Sequence, residues 1–286
     1  MIEQLRYFLI SMRPKQWIKN GIIFIPLIFS GSLTNLHLLY QASIAFVLFS
    51  FLAGSLYVIN DIVDRESDRK HTKKQHRPIA AWKLRSTFAL IASLCLSALS
   101  LWGAYVFFSA WVLSLFILYV CNTLIYVFFL KKIVFLDVLS IAFGFILRAG
   151  IWIYVIQVSF SWWLIIVVFI GATILWLLKR YQEIQLWVSS RTILWDYKKY
   201  PLKESIMFFS AILIVLYMVY TFRSVQPKIF IVTIPCIIFG VWRFLYSIFS
   251  LKKYSAGFED IIFEDRYIIA DIIVYILVVI GLIYLG

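Results

Sequence analysis

Four side chains with oxygen ligands lie at helical spacing in the segment YVINDIVDRESDRK. They are Asn60, Asp61, Asp64 and Asp68, which form the pattern N-D-x-x-D-x-x-x-D. If a helix continues through this segment, a rotation of about 100° per residue places all four on one face within about two turns. Carboxylates crowded in this way repel one another unless a cation lies among them. The pattern therefore predicts a bound cation, and the alternative is a solvated helix end of mixed charge.

Magnesium is the cation that this ligand set favours. Carboxylate and amide oxygens are hard ligands, and these few do not make a closed cage, so Mg²⁺ would take further ligands from water and substrate phosphates. Basic side chains able to bind such phosphates follow at once in the same loop. These are Arg65, Arg69, Lys70, Lys73, Lys74 and Arg77. For Asp68, a simple salt bridge to a neighbouring base is an equal alternative to metal binding.

The elements that must position these groups are transmembrane helices. Of the 286 residues, 63% are apolar and only 14% are charged, which leaves too little polar surface for a soluble domain. Apolar runs near 20 residues indicate helices that span a bilayer. We expect an all-α, polytopic bundle of about nine transmembrane helices in one domain, residues 1–286. The runs lie at about 17–31, 38–59, 86–106, 110–130, 134–156, 161–178, 205–224, 228–249 and 267–285.

The distribution of positive charge predicts the orientation in the membrane. The chain has 27 Lys and Arg residues against 14 Asp and Glu, a formal net charge of +13. Most of these bases lie before the first span or in alternate connections, which the positive-inside rule places in the cytoplasm. We expect a plasma-membrane protein with a cytoplasmic amphipathic lead-in (1–19), two cytoplasmic active-site loops (60–85 and 179–204) and a C-terminus outside. The excess charge has two explanations, the positive-inside rule alone or bound phosphates.

The acidic pattern at the end of the second helix resembles the first aspartate motif of the UbiA superfamily of intramembrane prenyltransferases. Within that superfamily, several segments are similar to the branch that transfers phosphoribose to decaprenyl phosphate. They are RPKQWIKN (Arg13–Asn20), DRESDRKHTKKQHRPIA (Asp64–Ala80), LLKRYQEI (Leu177–Ile184) and GFEDIIFEDR (Gly257–Arg266). The similarity follows the order of the whole chain. It implies a helical bundle around a central cavity that opens sideways to lipid and is capped by cytoplasmic loops.

The resemblance also implies a magnesium-dependent transferase. Ordinary members of the superfamily hold Mg²⁺ on a prenyl diphosphate with two aspartate-rich loops. In this chain the second loop, residues 179–204, lacks a D-x-x-x-D pattern and carries a cluster of bases. That difference favours one magnesium-bound diphosphate together with phosphomonoesters. The expected reaction transfers 5-phosphoribose from phosphoribosyl diphosphate to a polyprenyl phosphate of decaprenyl type and releases diphosphate.

The resemblance assigns roles to individual residues. Asp61 and Asp64 are the first candidates for binding Mg²⁺, and Asn60 and Asp68 complete the catalytic and metal-binding set, directly or through water. Candidates for binding substrate phosphates are Lys15, Lys19, Lys73, Arg77, Tyr126, Lys131, Arg148, Lys179 and Arg180. Tyr126 and Lys131 are one residue further apart than in the family pair that they resemble.

Several of these bases also have a structural explanation. Lys15 and Lys19 could place their charges at the membrane interface without touching a substrate. A charge inside an apolar run, such as Arg148, normally faces a cavity or a partner, and Asp137, about three turns earlier, is the candidate partner. Glu183, four residues after Lys179, could hold that lysine in place.

Two other functions are compatible with a basic membrane bundle. A prenyltransferase would join a prenyl diphosphate to an aromatic or other acceptor, and the missing second aspartate pattern argues against it. A transporter or lipid-phosphate flippase would show internal repeats, broken helices at corresponding positions and charges near the midplane. Arg148 and Arg243 are candidates for such charges, but the sequence has no repeats and its charged groups cluster at one face. The three cysteines lie far apart in apolar runs, which predicts neither a disulfide nor a zinc site. We expect no nucleic-acid partner.

Overall fold

The computed structural model describes residues 2–23, 27, 32, 34–71, 74–157, 162–186, 193–223, 231–251 and 264–284. These residues form helices joined by turns, with no β-strand among them. The all-α prediction is confirmed. The chain separates into two compact units, residues 1–160 and 161–286.

The described residues of the first unit form six α-helices. They are α1 (Ile2–Ser11), α2 (Leu36–Val63), α3 (Arg65–Arg69), α4 (Ser86–Phe107), α5 (Ala110–Phe128) and α6 (Leu136–Ile156). Three 3₁₀ helices cover Pro14–Ile23, Lys74–His76 and Leu130–Lys132. Helices α2, α4, α5 and α6 have the length and hydropathy needed to cross a membrane.

The long helix α2 is the centre of the first unit and packs against α4, α5 and α6. Asn35 begins α2 by accepting hydrogen bonds from two backbone N–H groups of the first turn, which have no partner within the helix. Aromatic rings fill the interface, where Phe49 meets Phe116 and Trp152 edge-on at centroid distances of 5.4 and 5.8 Å. A well-packed helix therefore carries the acidic pattern at its end.

The N-terminal segment is held against the same bundle. Phe8 meets Phe88 of α4 edge-on at 6.4 Å, and Met12 lies so close to Gly54 of α2 that a methyl group there would come within 2.9 Å of it. Arg13 then adopts a left-handed backbone conformation, with φ of 55°, which ends the helical course of α1. This turn directs the chain after α1 toward the end of α2.

The first predicted span differs from the structure. The sequence indicates a helix over residues 17–31, whereas Pro14–Ile23 forms a 3₁₀ helix. Residues 24–26 and 28–31 of that prediction lie outside the described residues. The left-handed Arg13, followed by a proline that cannot donate a backbone hydrogen bond, separates this segment from α1.

In the second unit, five α-helices lie in the described ranges. They are α7 (Trp162–Leu186), α8 (Ile193–Tyr197), α9 (Leu202–Arg223), α10 (Ile234–Phe249) and α11 (Arg266–Tyr284). Segments of α7 and α9 are long and apolar enough to cross a membrane, which gives 6 such helices in the described part of the chain; α10 is apolar but shorter. The protein is therefore an integral membrane protein. Within this unit α9 packs on α7 and α10, and α10 packs on α11.

A buried carboxylate anchors the start of α11. Asp265 is 1% exposed and accepts hydrogen bonds from Arg243 Nε and Nη2 at 3.2 and 3.0 Å and from Ser247 Oγ at 2.8 Å. The backbone N–H of Tyr267 also donates to it, at 3.1 Å. Burial alone would raise the pKa of this carboxyl group, but these hydrogen bonds and the charge of Arg243 hold its pKa well below the usual range.

Replacing Asp265 with asparagine is expected to destabilise the protein by about 3 kcal/mol, because the mostly buried Arg243 loses its carboxylate. Thermal unfolding in detergent measures this, with Asp196→Asn as the control, since Asp196 forms an exposed pair with Lys199. The carboxylate's contribution should be complete above about pH 4, where an unfolded aspartate is ionised, and should decline below it. A melting temperature equal to that of the wild type would contradict the assignment.

Candidate active site

The acidic pattern lies at the junction between α2 and α3. Asn60 and Asp61 belong to the last turn of α2, which ends at Val63, and Asp68 belongs to α3. Asp64 separates the two helices, with φ of −86° and ψ of 0°. Its N–H donates to the carbonyl of Asn60 at 2.9 Å, and its carbonyl accepts from the N–H of Asp68 at 2.8 Å. Helical hydrogen bonding therefore continues past Asp64 although the helix is interrupted there.

Asp61 is held by two arginines. It is 2% exposed, and its Oδ1 accepts hydrogen bonds from Arg13 Nη2 at 2.5 Å and from Arg77 Nη1 at 3.0 Å. Arg13 reaches Asp61 from the turn after α1 and also lies over the ring of Tyr57, 5.2 Å from its centroid. A buried carboxylate has lost its hydration, and these two charged donors replace it.

Arg77 joins two of the carboxylates. Its Nη1 also donates to Asp68 Oδ2 at 2.6 Å, so that it bridges Asp68 and Asp61. Asp68 is 4% exposed and comes from α3, whereas Arg77 comes from the loop that follows. The loop is therefore folded back onto the acidic pattern, and a salt bridge is the arrangement observed for Asp68.

Asp64 has a different partner. Its Oδ1 lies 2.5 Å from Nζ of Lys131, which follows α5 and is 9% exposed. The carboxylates therefore have different cationic partners, because Asp61 and Asp68 contact an arginine and Asp64 contacts this lysine. No group of three or more Asp, Glu, His or Cys side chains in the described ranges is placed to hold a metal ion. We call the six residues of these ion pairs the charged cluster: Arg13, Asp61, Asp64, Asp68, Arg77 and Lys131.

Further contacts hold the loop between α3 and α4 in position. The guanidinium of Arg69 lies over the ring of Trp82, 3.7 Å from its centroid. The side chain of Gln4, in α1, donates to the carbonyl of Lys83 at 3.0 Å and accepts from the N–H of Arg85 at 2.9 Å. Helix α1 and this loop therefore hold each other in place. The turn after α1 supplies Arg13 of the charged cluster, and the loop supplies Arg77.

A second polar region lies deeper in the first unit, between α5 and α6. Arg148 in α6 is 5% exposed, and its Nη2 donates to the hydroxyl of Tyr119 at 3.2 Å. The suggested pair between Arg148 and Asp137 is not found among the described contacts of Arg148. The carboxylate of Asp137 instead accepts a hydrogen bond from the N–H of Val138 at 2.9 Å. Three turns of helix separate the two residues, which is about 16 Å and too far for a direct pair along one helix.

The order of the helices and the placement of the charged cluster can be compared with known proteins. The UbiA prenyltransferase family matches residues 23–257, which is most of the chain. The chain belongs to this family. The expected family resemblance is thus confirmed, and the match covers the acidic pattern, Arg77, Lys131 and Arg148.

Two curated proteins of the same name are similar to part of this chain. The chain is 33% identical over 179 residues to the decaprenyl-phosphate phosphoribosyltransferase of Corynebacterium glutamicum, which covers 62% of this chain and 54% of that protein. It is 34% identical over 185 residues to the protein of the same name from Mycolicibacterium smegmatis, which covers 62% of this chain and 56% of that protein. The chain spans little more than half the length of the curated relatives that it matches.

A solved structure shares the fold along nearly the whole chain. The UbiA homologue from Archaeoglobus fulgidus, solved bound to DMAPP and Mg²⁺, has a TM-score of 0.74. It is 16% identical in sequence, and the comparison covers 98% of this chain and 99% of that chain. At this identity the likeness shows that the two proteins have the same UbiA fold.

Two further phosphate-binding candidates of the first unit, Lys15 and Tyr126, are not members of the charged cluster. Lys15 is exposed in the 3₁₀ helix, and Tyr126 is half-buried in α5. Lys73 and the side chain of Lys19 lie outside the described residues. Arg13, in contrast, was assigned no role from the sequence, although it heads the family-like segment RPKQWIKN.

Two candidates belong to the second unit. The ammonium group of Lys179 lies over the ring of Trp176, 3.9 Å from its centroid. Arg180 is fully buried and forms an ion pair with Glu183, one turn later in α7. Glu183 therefore neutralises the buried Arg180. The sequence spacing had suggested Glu183 as a residue that holds Lys179.

Proposed function

We propose that this UbiA family member transfers 5-phosphoribose from phosphoribosyl diphosphate to a polyprenyl phosphate of decaprenyl type and releases diphosphate, with Mg²⁺ as cofactor. The charged cluster carries the proposal: carboxylates and bases meet at one end of α2 in a chain that is similar to two decaprenyl-phosphate phosphoribosyltransferases. Carboxylates bind a metal and bases bind phosphates, which are the two components of a metal-bound diphosphate.

The residues of the cluster have the chemistry that Mg²⁺ requires. Asp61 and Asp64 are three positions apart on one helical course, so their carboxylates can reach an ion at the end of α2. Asn60 and Asp68 would act as further ligands, directly or through water. When bound, Mg²⁺ would neutralise charge on the departing diphosphate.

The protein's own side chains bind and orient two anionic substrates. An oxygen of the lipid phosphate attacks C1 of the ribose while the bond from C1 to the diphosphate oxygen breaks, with inversion at C1. The electron pair of the broken bond leaves with the diphosphate, where Arg77 and Lys131 stabilise the new charge. No strong base is needed, because the acceptor phosphate is already an anion at neutral pH. Alignment of the two substrates supplies much of the remaining rate.

We also propose that the charged cluster faces the cytoplasm and that the C-terminus lies outside. The donor is soluble and polyanionic, so its binding groups have to open to an aqueous compartment. The positive-inside rule favours the cytoplasm for the basic segments at this end of the helices.

Prenyl transfer is the second candidate, because the Archaeoglobus fulgidus homologue of the same fold was solved with DMAPP and Mg²⁺. Against it, residues 179–204 contain no D-x-x-x-D pattern that would provide a second acidic motif. The charged cluster by itself would serve either diphosphate, so the choice depends on the donor.

One assay separates the two candidates. The purified protein is supplied in detergent with Mg²⁺, polyprenyl phosphate and phosphoribosyl diphosphate labelled in the ribose. We expect label to enter the organic phase, and we expect no transfer from a prenyl diphosphate to an aromatic acid. The opposite pair of results would replace the proposal with prenyl transfer.

A further inference from the structure

The guanidinium of Arg148 is buried, and none of the described residues gives it an acidic partner. It is 5% exposed, its one described hydrogen bond goes to the neutral hydroxyl of Tyr119, and its Nε has no partner among the described residues. The ring centroids of Phe49, Tyr119 and Phe145 lie 5.4, 5.7 and 4.8 Å from its central carbon. Aromatic faces attract a cation but do not neutralise it. A charge at this depth is costly without a counter-ion, and such a position is normally functional.

The surroundings of Arg148 are polar as well as aromatic. Asn122 in α5 donates to the carbonyl of Ser140 at 2.9 Å and accepts from the hydroxyl of Ser140 at 3.0 Å. With Tyr119 and Arg148 these residues make a row of polar groups between α5 and α6. An isoprenoid chain offers no atom that these groups could bind, so the row is suited to a hydrophilic ligand.

Gly144 adjoins two residues of this row. A methyl group at Gly144 would meet Asn122 at 3.6 Å and Tyr119 at 3.7 Å, which is ordinary contact without overlap. Gly144 lies one turn before Arg148 on the same face of α6. Long side chains of a helix point toward its N-terminus, so the arginine extends over Gly144 toward the end of α6 that adjoins Lys131.

We propose that Arg148 binds the phosphomonoester on C5 of the donor sugar while the charged cluster binds the diphosphate on C1. This inference rests on the proposed function and adds a second phosphate subsite, which would select a phosphorylated sugar over a prenyl diphosphate. Tyr119 is a positioning residue in this site, because its hydroxyl fixes the guanidinium.

The depth of Arg148 agrees with the length of such a donor. From Leu136, where α6 begins, to Gly144 the helix rises about 12 Å, and from Phe49 to Asp61 α2 rises about 18 Å. About nine covalent bonds of about 1.5 Å join the outer phosphorus atoms of phosphoribosyl diphosphate, which are therefore on the order of 10 Å apart. A metal–oxygen bond of about 2 Å at one end and a charged hydrogen bond of about 2.8 Å at the other lengthen the span between the binding groups. That span then lies between the two helix rises.

Kinetics of Arg148→Gln test the inference. We expect the KM for phosphoribosyl diphosphate to rise about 10- to 100-fold, because a charge-assisted hydrogen-bond partner is lost. The inhibition constant of ribose 5-phosphate, which carries only the phosphomonoester, should rise by a similar factor. The inhibition constant of magnesium diphosphate and the KM for polyprenyl phosphate should change less than about 3-fold. Arg6→Gln removes an exposed positive charge of α1 and is the matched control.

Two more conservative variants test the inference if Arg148→Gln does not fold. Arg148→Lys keeps the charge, and Tyr119→Phe keeps the ring while removing the hydroxyl that positions the guanidinium. Tyr119→Phe should weaken inhibition by ribose 5-phosphate about 3- to 10-fold. Unchanged inhibition by ribose 5-phosphate in folded Arg148→Gln or in Tyr119→Phe would overturn the inference. A raised KM for polyprenyl phosphate with unchanged ribose 5-phosphate inhibition would also overturn it and would assign the subsite to the lipid phosphate.

The failure of this inference can be told apart from the failure of the proposed function. If the wild-type protein transfers labelled ribose while Arg148→Gln keeps the wild-type constants, only the second subsite is wrong. If the wild-type protein transfers no ribose, the proposed function is wrong and the subsite falls with it.

Discussion

Replacing Asp61 or Asp64 with asparagine is expected to lower kcat/KM for phosphoribosyl transfer by at least about 1000-fold. Asparagine keeps the size of the side chain but removes the charge that would bind Mg²⁺. In Asp61→Asn it also leaves Arg13 and Arg77 facing a neutral amide, so both guanidinium groups lose their fixed positions. Single-turnover transfer of labelled ribose, measured at saturating Mg²⁺, gives the size of the effect.

Glu66→Gln is the matched control for these variants. Glu66 lies between Asp64 and Asp68 in sequence, but its side chain is 69% exposed and pairs with Arg69. The Glu66→Gln variant loses one negative charge in the same segment, and this residue does not contact the charged cluster. Its transfer activity should therefore stay within about 2-fold of the wild type. Thermal unfolding of all three variants shows whether they are folded. Near-normal transfer by both aspartate variants would refute the assignment of these carboxylates to the metal.

The features predicted well from the sequence are local ones. The helical course through the acidic pattern follows from spacing within one segment, and the membrane helices follow from continuous apolar runs. The exception near the N-terminus is also local: the left-handed Arg13 is followed by a 3₁₀ helix over Pro14–Ile23, where hydropathy indicated the start of a spanning α-helix. Hydropathy reports burial in lipid and not the winding of the backbone.

The partners of the charged groups could not be predicted because they come from distant parts of the chain. Arg13 and Asp61 are 48 positions apart, and Lys131 and Asp64 are 67 positions apart. Sequence spacing suggested a pair between Arg148 and Asp137 on one helix, whereas the contact is made with Tyr119 on the neighbouring helix. Contacts across helices depend on packing and crossing geometry, which the spacing within one helix does not contain.

Replacing Arg77 with glutamine should strengthen the binding of a metal ion alone and weaken the binding of diphosphate. In the structure Arg77 neutralises both Asp61 and Asp68, so a metal ion that enters alone has to compete with its guanidinium. Without that competitor the carboxylates should bind Mn²⁺ about 3- to 10-fold more tightly in the absence of diphosphate. Diphosphate should bind about 10- to 100-fold more weakly, because it loses a charged donor. Isothermal titration calorimetry measures both constants without turnover.

Arg69→Gln is the control for a general loss of positive charge, because it removes a base from the same segment without removing the competition between Arg77 and the metal ion. The side chains of Arg69 and Arg77 are 23% and 24% exposed and lie in the same segment, but Arg69 pairs with Glu66 outside the cluster. Its loss should leave both binding constants within about 2-fold. If Arg77→Gln weakened Mn²⁺ and diphosphate alike, Arg77 would only hold the loop in place. If Arg77→Gln bound Mn²⁺ more tightly and diphosphate more weakly, Arg77 would pair with the carboxylates in the free protein and with diphosphate in the complex. The metal ion and diphosphate would then bind to this site together.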